Sequence, residues 1–353
     1  MQESSPATQL QQAALLQNPG PSAQLTVQDH PVAYPGPGEV LVKLTHSGIC
    51  GSELRALHGW GKYDEIIGHE GVGSIVKLGD GVPTGMLGKR VGVKWLYRSC
   101  GECATCQRGF VHICPQQMNT GRSCPGTLQQ FVVADSRHLT EIPDTLTGEI
   151  AAPLLCAGLT MMGAIGQLPE DVVAGDWLVI IGSGGGLGHI GVQIAAKAKG
   201  FKVIAVDTGA SKRSISLDSG ATAFVDYATQ DVAAEVKNLT GEGAAAVIVV
   251  SDSEQGFRLS AHIARPLGTI LLVGLPPESL DLPISVMMSI RKGLTIKGVL
   301  VGSEEQMREV LQYAVDGIVK PSVEVLKLAQ VGLAIDRLRK WDIPGRIVIA
   351  LPE

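Results

Sequence analysis

The stretch "DWLVIIGSGGGLGHIGVQIAAKAKGFKVIAVD", residues 176–207, leaves the chain few folds to choose from. An apolar run leads into glycines at 182, 184, 185, 186, 188 and 191; an amphipathic segment and a second apolar run ending on Asp207 follow. This is the pattern of a strand, a tight turn, a helix and a second strand. Side chains in such a turn would block its bend and hold the backbone away from a ligand, and the positive end of the following helix faces whatever is bound there. The register Gly186-x-Gly188-x-x-Gly191, opening a helix directly after a strand, suits a dinucleotide pyrophosphate. Gly182, Gly184, Gly185, Gly186, Leu187 and Gly188 are therefore the candidate phosphate-binding turn. Asp207 stands about twenty residues on, where a carboxylate accepts bonds from both hydroxyls of the adenosine ribose. The same charge repels a 2′-phosphate, which favours NAD over NADP, and Lys212 lies close enough in sequence to touch the same ribose.

Two more apolar runs, "AAAVIVVS" (244–251) and "GTILLVG" (268–274), are separated by helical stretches. Strand–helix alternation calls for a parallel sheet covered on both faces, so the fold class is α/β with a doubly wound parallel sheet. At 353 residues the chain exceeds one ordinary hydrophobic core. Up to about residue 145 its texture differs: short β-like runs such as "GEVLVKLTHSGIC" and "EGVGSIVKLG", broken by Gly and Pro, form a β-rich domain. A helix, "SEEQMREVLQYAVDG", and a last strand, "GRIVIALP", are expected to return to that first domain. The expected division is a β-rich domain over 1–158, a nucleotide domain over 159–299 and a return over 300–353.

Charge narrows the partners. A net charge of −5 and a pI near 5.9 speak against nucleic acid, which selects for basic patches. No run approaches about 18 consecutive apolar residues, so no membrane span is expected. The start "MQESSPATQLQQAALLQ" lacks the basic and apolar segments of a secretory signal, which points to the cytoplasm, where thiols stay reduced. The seven cysteines then need a use other than disulfides. Cys100, Cys103, Cys106 and Cys114 form C-x2-C-x2-C-x7-C within a lobe spanning 95–118. Thiolates at C-x2-C spacing converge on one ion across a turn, and four complete a closed tetrahedral zinc site, structural because it has no room for substrate. An iron–sulfur cluster also takes four thiolates and fits the same spacing.

Cys50, Cys124 and Cys156 remain. Only the fold can join Cys50 to His69 and Glu70 of "GHEG" and to Cys156 of "APLLCAGLT"; a single buried cysteine is ordinarily a small hydrophobe, and Cys124 is read that way. Taken in order, however, "SGIC", "GHEGVG", "CGECATCQRG", "APLLCAGLT", "GGLG" and "GRIVI" resemble the zinc-dependent medium-chain alcohol dehydrogenases. The "KWL" at 94–96 resembles the yeast and fungal type, and the similarity runs from residue 38 to the end.

The resemblance implies a GroES-like catalytic domain built from both chain ends around a Rossmann-type NAD-binding domain. It implies a catalytic zinc held by Cys50, His69 and Cys156, with Glu70 as an alternative to water in the fourth place, hence two zinc ions per subunit. It implies hydride transfer between NAD(H) and a small alcohol, aldehyde or ketone, in a homo-oligomer, dimer or tetramer. Ser52 falls where similar enzymes set a hydroxyl against the substrate oxygen, although a serine there also suits a helix cap. Glu53 stands where the family has an aspartate bonded to the zinc-binding histidine. Trp60 and Trp95 resemble the indoles that narrow the pocket, and Arg346 fits a pyrophosphate contact from the returning strand.

Three departures stand out. Gly51 replaces a His or Arg that meets the coenzyme pyrophosphate. Arg55 replaces the histidine that ends the proton relay, and a guanidinium cannot serve as a base near neutrality. The segment between Cys50 and His69 is also shorter than in the yeast enzymes. His58 is the candidate substitute proton acceptor. Without a relay, carbonyl reduction is favoured, or alcohol oxidation needs high pH; a bulkier substrate of fungal specialised metabolism fits by analogy. Two alternatives are a quinone or enoyl reductase of the same fold without catalytic zinc, and a non-catalytic redox sensor that binds nucleotide and switches through its cysteine lobe.

Overall fold

The computed structural model describes residues 9–341 and 343–353; the polar start, residues 1–8, lies outside them. The chain opens with β1 (Leu10–Gln17), β2 (Gln24–Pro31), β3 (Glu39–Gly48), β4 (Gly71–Leu78), β5 (Arg90–Val93), β6 (Leu96–Arg98), β7 (Met118–Asn119), β8 (Phe131–Asp135) and β9 (Thr140–Glu141). Then β10 (Trp177–Ile181), β11 (Lys202–Asp207), β12 (Ala223–Asp226), β13 (Ala244–Val249), β14 (Ala264–Leu272) and β15 (Thr295–Gly298) alternate with helices. The last strands are β16 (Val323–Lys327) and β17 (Arg346–Ala350).

Two compact units result. One holds the residues up to Leu155, the segment from Glu324 and the end Ile347–Glu353; the other holds Cys156–Val323 and Ile343–Arg346. The return to the first unit therefore begins at 324, not at the expected 300. The helix Glu304–Val315 stays with the second unit because it packs on the helix Leu159–Ile165, burying Met307, Val310 and Leu311. Its amphipathic pattern reveals a buried face but not which surface that face meets.

In the second unit six strands lie in the order β12-β11-β10-β13-β14-β15, every neighbouring pair parallel. The chain steps outward from β10 to β12 and returns to β13 beside β10, so the order reverses there and opens a crevice at the carboxyl ends of these strands. Helices cover both faces of such a sheet, which is why "WLVII" and "AAAVIV" read as unbroken apolar runs: β13 is buried throughout and β10 nearly so. Val179, Ile204, Val247, Phe257 and Ile270 share one core cluster, each such side chain contributing about 1.5–3 kcal/mol when fully buried.

The first unit is a largely antiparallel sheet ordered β16-β17-β3-β4-β5-β9, with β8 also paired to β3. The last strand lies against β3 with Val348 opposite Gly48 and Ile349 opposite Ser47, and Ile49 N–H donates to Ile347 O at 3.0 Å. Ser47 of β3 also faces Gly71 of β4. That register brings the residues just past β3, including Cys50, beside those just before β4, His69 and Glu70.

Among the described residues one helical stretch, Gly148–Ile165, is long and apolar enough to cross a membrane by length and mean composition, although Glu149 and Thr160 interrupt its apolar run. It is 89% buried inside the protein, and its apolar character is that of a core helix.

Candidate active site

Cys50, His69, Glu70 and Cys156 come together in space. Each offers one ligand atom, these atoms lie within 4.8 Å of one another, and all four residues are buried. Cys156 arrives from a π turn, Leu154–Gly158, inside the helical stretch that starts at Gly148; the division between the two units falls within this stretch, directly before Cys156. Pro153 precedes that turn and has no N–H to give the preceding carbonyls, which loosens the regular i to i−4 ladder. Two thiols, an imidazole and a carboxylate converging in a buried place are a donor set suited to zinc.

Glu53 binds this cluster from behind. Its Oε1 lies 2.9 Å from His69 Nδ1, and its other oxygen accepts the N–H of Cys50. With Nδ1 engaged, Nε2 is the ring nitrogen left to face the cluster. Burial disfavours a charge on His69, but Glu53 and the Cys50 thiol outweigh it and raise its proton affinity well above the ordinary imidazole value. The extra methylene of Glu53 relative to aspartate is thus accommodated, with both carboxylate oxygens used.

A small cleft opens beside His69, lined among others by Ser52, Tyr63, Trp95 and Thr120. Trp95 stands edge-on to His69 with ring centroids 5.3 Å apart. Ser52 occupies the cap position of the helix Glu53–Leu57 but makes no capping hydrogen bond, so the capping alternative is not realised. The structure does not bring His58 or Trp60 to this cleft. They stack on each other at 4.7 Å, both exposed, with the Arg55 guanidinium 5.9 Å from the Trp60 ring. Tyr63 and Thr120 were not singled out in sequence, where they carry no spacing signal. Trp341, whose backbone is left-handed (φ 55°), rests over Gly51: a Cβ at Gly51 would sit 3.7 Å from the indole.

In the second cysteine group the sulfurs of Cys100, Cys103, Cys106 and Cys114 also lie within 4.8 Å of one another. Individual separations are 3.5 Å for Cys100–Cys114, 3.9 Å for Cys100–Cys106 and 4.0 Å for Cys103–Cys114. Four sulfurs around one zinc at Zn–S distances of about 2.3 Å stand roughly 3.8 Å apart, so the lobe fits a single tetrahedral ion. An iron–sulfur cluster interposes several irons and needs a wider spread. The Cys103 N–H points at the Cys100 sulfur (3.4 Å), and such backbone donors draw that thiol down to about 6. Cys124 stands apart, half-buried, its thiol donating to Asn119 O at 3.6 Å; burial pushes that thiol up to about 12.

The glycine-rich turn follows β10 as expected. Gly182 has a left-handed backbone (φ 90°), and a Cβ at Gly188 would lie 2.1 Å from the Gly182 carbonyl oxygen, so the turn closes only without that side chain. Gly184, Gly185, Gly186 and Leu187 lie between them. Asp207, at the end of β11, accepts the Gly184 N–H at 2.8 Å through one oxygen and the Thr208 N–H at 2.9 Å through the other. Lys212 reaches over the turn, its Nζ donating to Gly184 O (3.3 Å) and Ile343 O (2.5 Å). Buried Arg346 sets its guanidinium against the turn: a Cβ at Gly186 would be 2.4 Å from Nη1. His189 was missed in sequence, where a histidine in the first turn of a helix reads as a surface residue. It is fully buried, Nδ1–H donating to Gly185 O at 2.8 Å and Nε2 accepting from Ser322 N–H at 3.0 Å. Burial, with Arg346 and Lys212 nearby, lowers it to about 4 although the Gly185 bond pulls the other way.

Fold and site together define a two-unit dehydrogenase, with a glycine-rich turn, a four-cysteine lobe and a buried Cys/His/Glu/Cys cluster. Residues 36–144 match the family described as "Alcohol dehydrogenase GroES-like domain", and residues 186–316 match "Zinc-binding dehydrogenase". The chain is 37% identical over 348 residues to an alcohol dehydrogenase of Schizosaccharomyces pombe, covering 97% of this chain and 98% of that protein. It is 37% identical over 361 residues to alcohol dehydrogenase 2 of Emericella nidulans, with 97% of each covered. Among solved structures, the acetophenone reductase from Geotrichum candidum in complex with NAD superposes with a TM-score of 0.85, at 28% identity and 98% coverage of both chains. The chain belongs to the zinc-dependent medium-chain alcohol dehydrogenase family, and it is an oxidoreductase with that family's GroES-like and Rossmann-type architecture.

Proposed function

We propose that the protein is an NAD(H)- and zinc-dependent alcohol dehydrogenase that works readily as an aldehyde or ketone reductase. The buried cluster of Cys50, His69, Glu70 and Cys156, with His69 oriented by Glu53, carries this reading. Zinc held there supplies Lewis-acid polarisation of the substrate oxygen, while the closed four-cysteine lobe holds a second, structural ion. NAD(H) supplies the hydride or receives it. Asp207 at the end of β11 favours the unphosphorylated coenzyme, and the turn from Gly182 to Gly188 with Arg346 serves its pyrophosphate.

The residues of the chain divide the remaining work. Ser52, free of capping duty, exchanges a proton with the substrate oxygen in the cleft. Glu53 keeps the His69 ring in one orientation, and Trp95 narrows the space beside it. Arg55 cannot pass a proton onward, and His58 is stacked away from the cleft. The proton that Ser52 exchanges with the substrate oxygen therefore comes from solvent in reduction and returns to it in oxidation, which favours reduction near neutral pH and alcohol oxidation at high pH. Exposed Val286, Met287 and Ile290, near the edge strand β15, support a homo-oligomer of dimer or tetramer size. Seven cysteines with no disulfide among the described residues support a reducing, cytoplasmic setting. The test is an NADH-oxidation screen across aliphatic, aromatic and branched aldehydes, with zinc analysis of the same preparation. Two ions per chain and turnover of at least one carbonyl are expected. One ion, or no turnover of any carbonyl or alcohol, would sink the reading in favour of a zinc-free reductase or a nucleotide-binding sensor.

A further inference from the structure

His189 closes a ring of contacts around the nucleotide turn, inside one compact unit. Its Nδ1–H donates to Gly185 O at 2.8 Å, and its Nε2 accepts from Ser322 N–H at 3.0 Å. Those partners fix the tautomer, because a carbonyl can only accept and a backbone N–H can only donate. Ser322 O then accepts the Arg346 N–H at 2.9 Å, and the Arg346 guanidinium comes back against Gly186, the residue next to Gly185. One helical turn beyond His189, Gln193 pins the same segment twice, accepting from Lys320 N–H at 2.8 Å and donating to Lys320 O at 3.1 Å. The backbone of the turn and the cation that faces it are thus tied to each other through one buried imidazole.

We propose that His189 is a positioning residue for the dinucleotide phosphates, fixing the spacing between the Gly185–Gly186 backbone and the Arg346 guanidinium. This rests on the nucleotide-binding role given above. A diphosphate is held best by donors that need not rearrange when it arrives. The turn alone would keep some freedom because it is rich in glycine, and Arg346, at the start of a strand, hydrogen-bonds the same Ser322 backbone that His189 holds. His189 touches no part of the ligand itself; it acts through the two groups it joins.

The experiment measures equilibrium binding of NADH, ADP-ribose and adenosine to the zinc-loaded full chain and its variants. The variants are His189→Leu, which keeps bulk but breaks both bonds, His189→Gln, whose amide can donate and accept, and Arg346→Met. Expected is a loss of about tenfold in NADH and ADP-ribose affinity for His189→Leu, because two buried polar partners lose their bonds. Adenosine, which has no phosphates, should change by less than about twofold, His189→Gln should recover most of the loss, and His189→Leu should add little on top of Arg346→Met. The inference is overturned if His189→Leu lowers thermal stability but leaves ADP-ribose affinity intact. Equal weakening of adenosine, or full additivity with Arg346→Met, also overturns it. Should His189→Leu fail to fold, Gln193→Met loosens the Lys320 segment from the other side, and must shift ADP-ribose affinity in the same direction. A wild-type protein that binds neither NADH nor ADP-ribose refutes the nucleotide-binding role itself, a different result from variants that bind like wild type.

Discussion

Glu53 holds His69 by its Nδ1 at 2.9 Å, with both residues almost wholly buried. A buried carboxylate set against an imidazole fixes ring orientation and makes the opposite nitrogen a better ligand. Here the same carboxylate also accepts the Cys50 N–H, so one side chain aligns two of the candidate ligands. Glu53→Gln is expected to lower zinc affinity at the catalytic cluster by about 10- to 100-fold, the usual cost of removing such a partner. Glu53→Asp should fall between the two, since the shorter chain cannot reach both groups at their present distances. Competition with a chelator, read as zinc retained per chain, checks this; equal retention by all three proteins would show that Glu53 has no part in holding the metal.

Ser52 and His58 stand six residues apart in sequence yet have different surroundings. Ser52 lines the cleft beside His69, whereas His58 is exposed and stacked on Trp60. Ser52→Ala is therefore expected to cut kcat/KM roughly a hundredfold or more, the scale of a lost proton-transfer group. His58→Gln should change neither the rate nor its pH profile by more than about twofold, the range of a surface substitution. The measurement is carbonyl reduction and alcohol oxidation from pH 6 to 10 for the three proteins. A single titration lost in His58→Gln would restore His58 as a proton acceptor.

The parts legible in sequence are those whose chemistry repeats locally. The glycine turn with Asp207, and the C-x2-C-x2-C-x7-C lobe, declare themselves because each is built within one short segment. The cluster around Cys50 depends on strands β3 and β4 meeting at one edge and on the π turn that presents Cys156, so only resemblance pointed to it. His58 and Trp60 lie near Cys50 in sequence, but the short helix from Glu53 turns them outward. His189 was invisible for another reason: its partner Ser322 is 133 residues away, and no periodicity marks a buried imidazole paired with a distant backbone.

Removing one sulfur separates the two metal roles. In Cys103→Ser the lobe loses one of four sulfurs that all lie within 4.8 Å of one another, and the other three thiols cannot close a tetrahedral site. The variant should bind one zinc fewer per chain and melt at lower temperature, because a structural ion contributes its binding energy to folding. Activity of the folded fraction, normalised to remaining zinc, should persist. Loss of the catalytic ion together with the structural one would show that the two sites are not independent.

His189 gives the fold a pH dependence of definite sign. The ring is held at about 4 in the folded chain, against about 6.5 when unfolded, so the unfolded state takes up its proton first as pH falls. Its contribution to stability is therefore complete above pH 6.5 and is lost between there and pH 4, at up to about 1.4 kcal/mol per pH unit and about 3 kcal/mol in all. His189→Gln has no such proton. It should be less stable than wild type at pH 7, because an amide of different shape replaces the ring, yet the gap should narrow steadily toward pH 4.5. Urea unfolding of both proteins at half-unit steps from pH 7.5 to 4.5 reads the difference directly, because carboxylates and other histidines contribute alike to both curves and cancel. Parallel curves would mean that the folded ring takes up its proton as readily as the unfolded one and is an imidazolium in the folded chain by pH 4.5. That outcome is incompatible with Ser322 N–H donating to it, since an imidazolium carries a hydrogen on both nitrogens and has no lone pair left to accept.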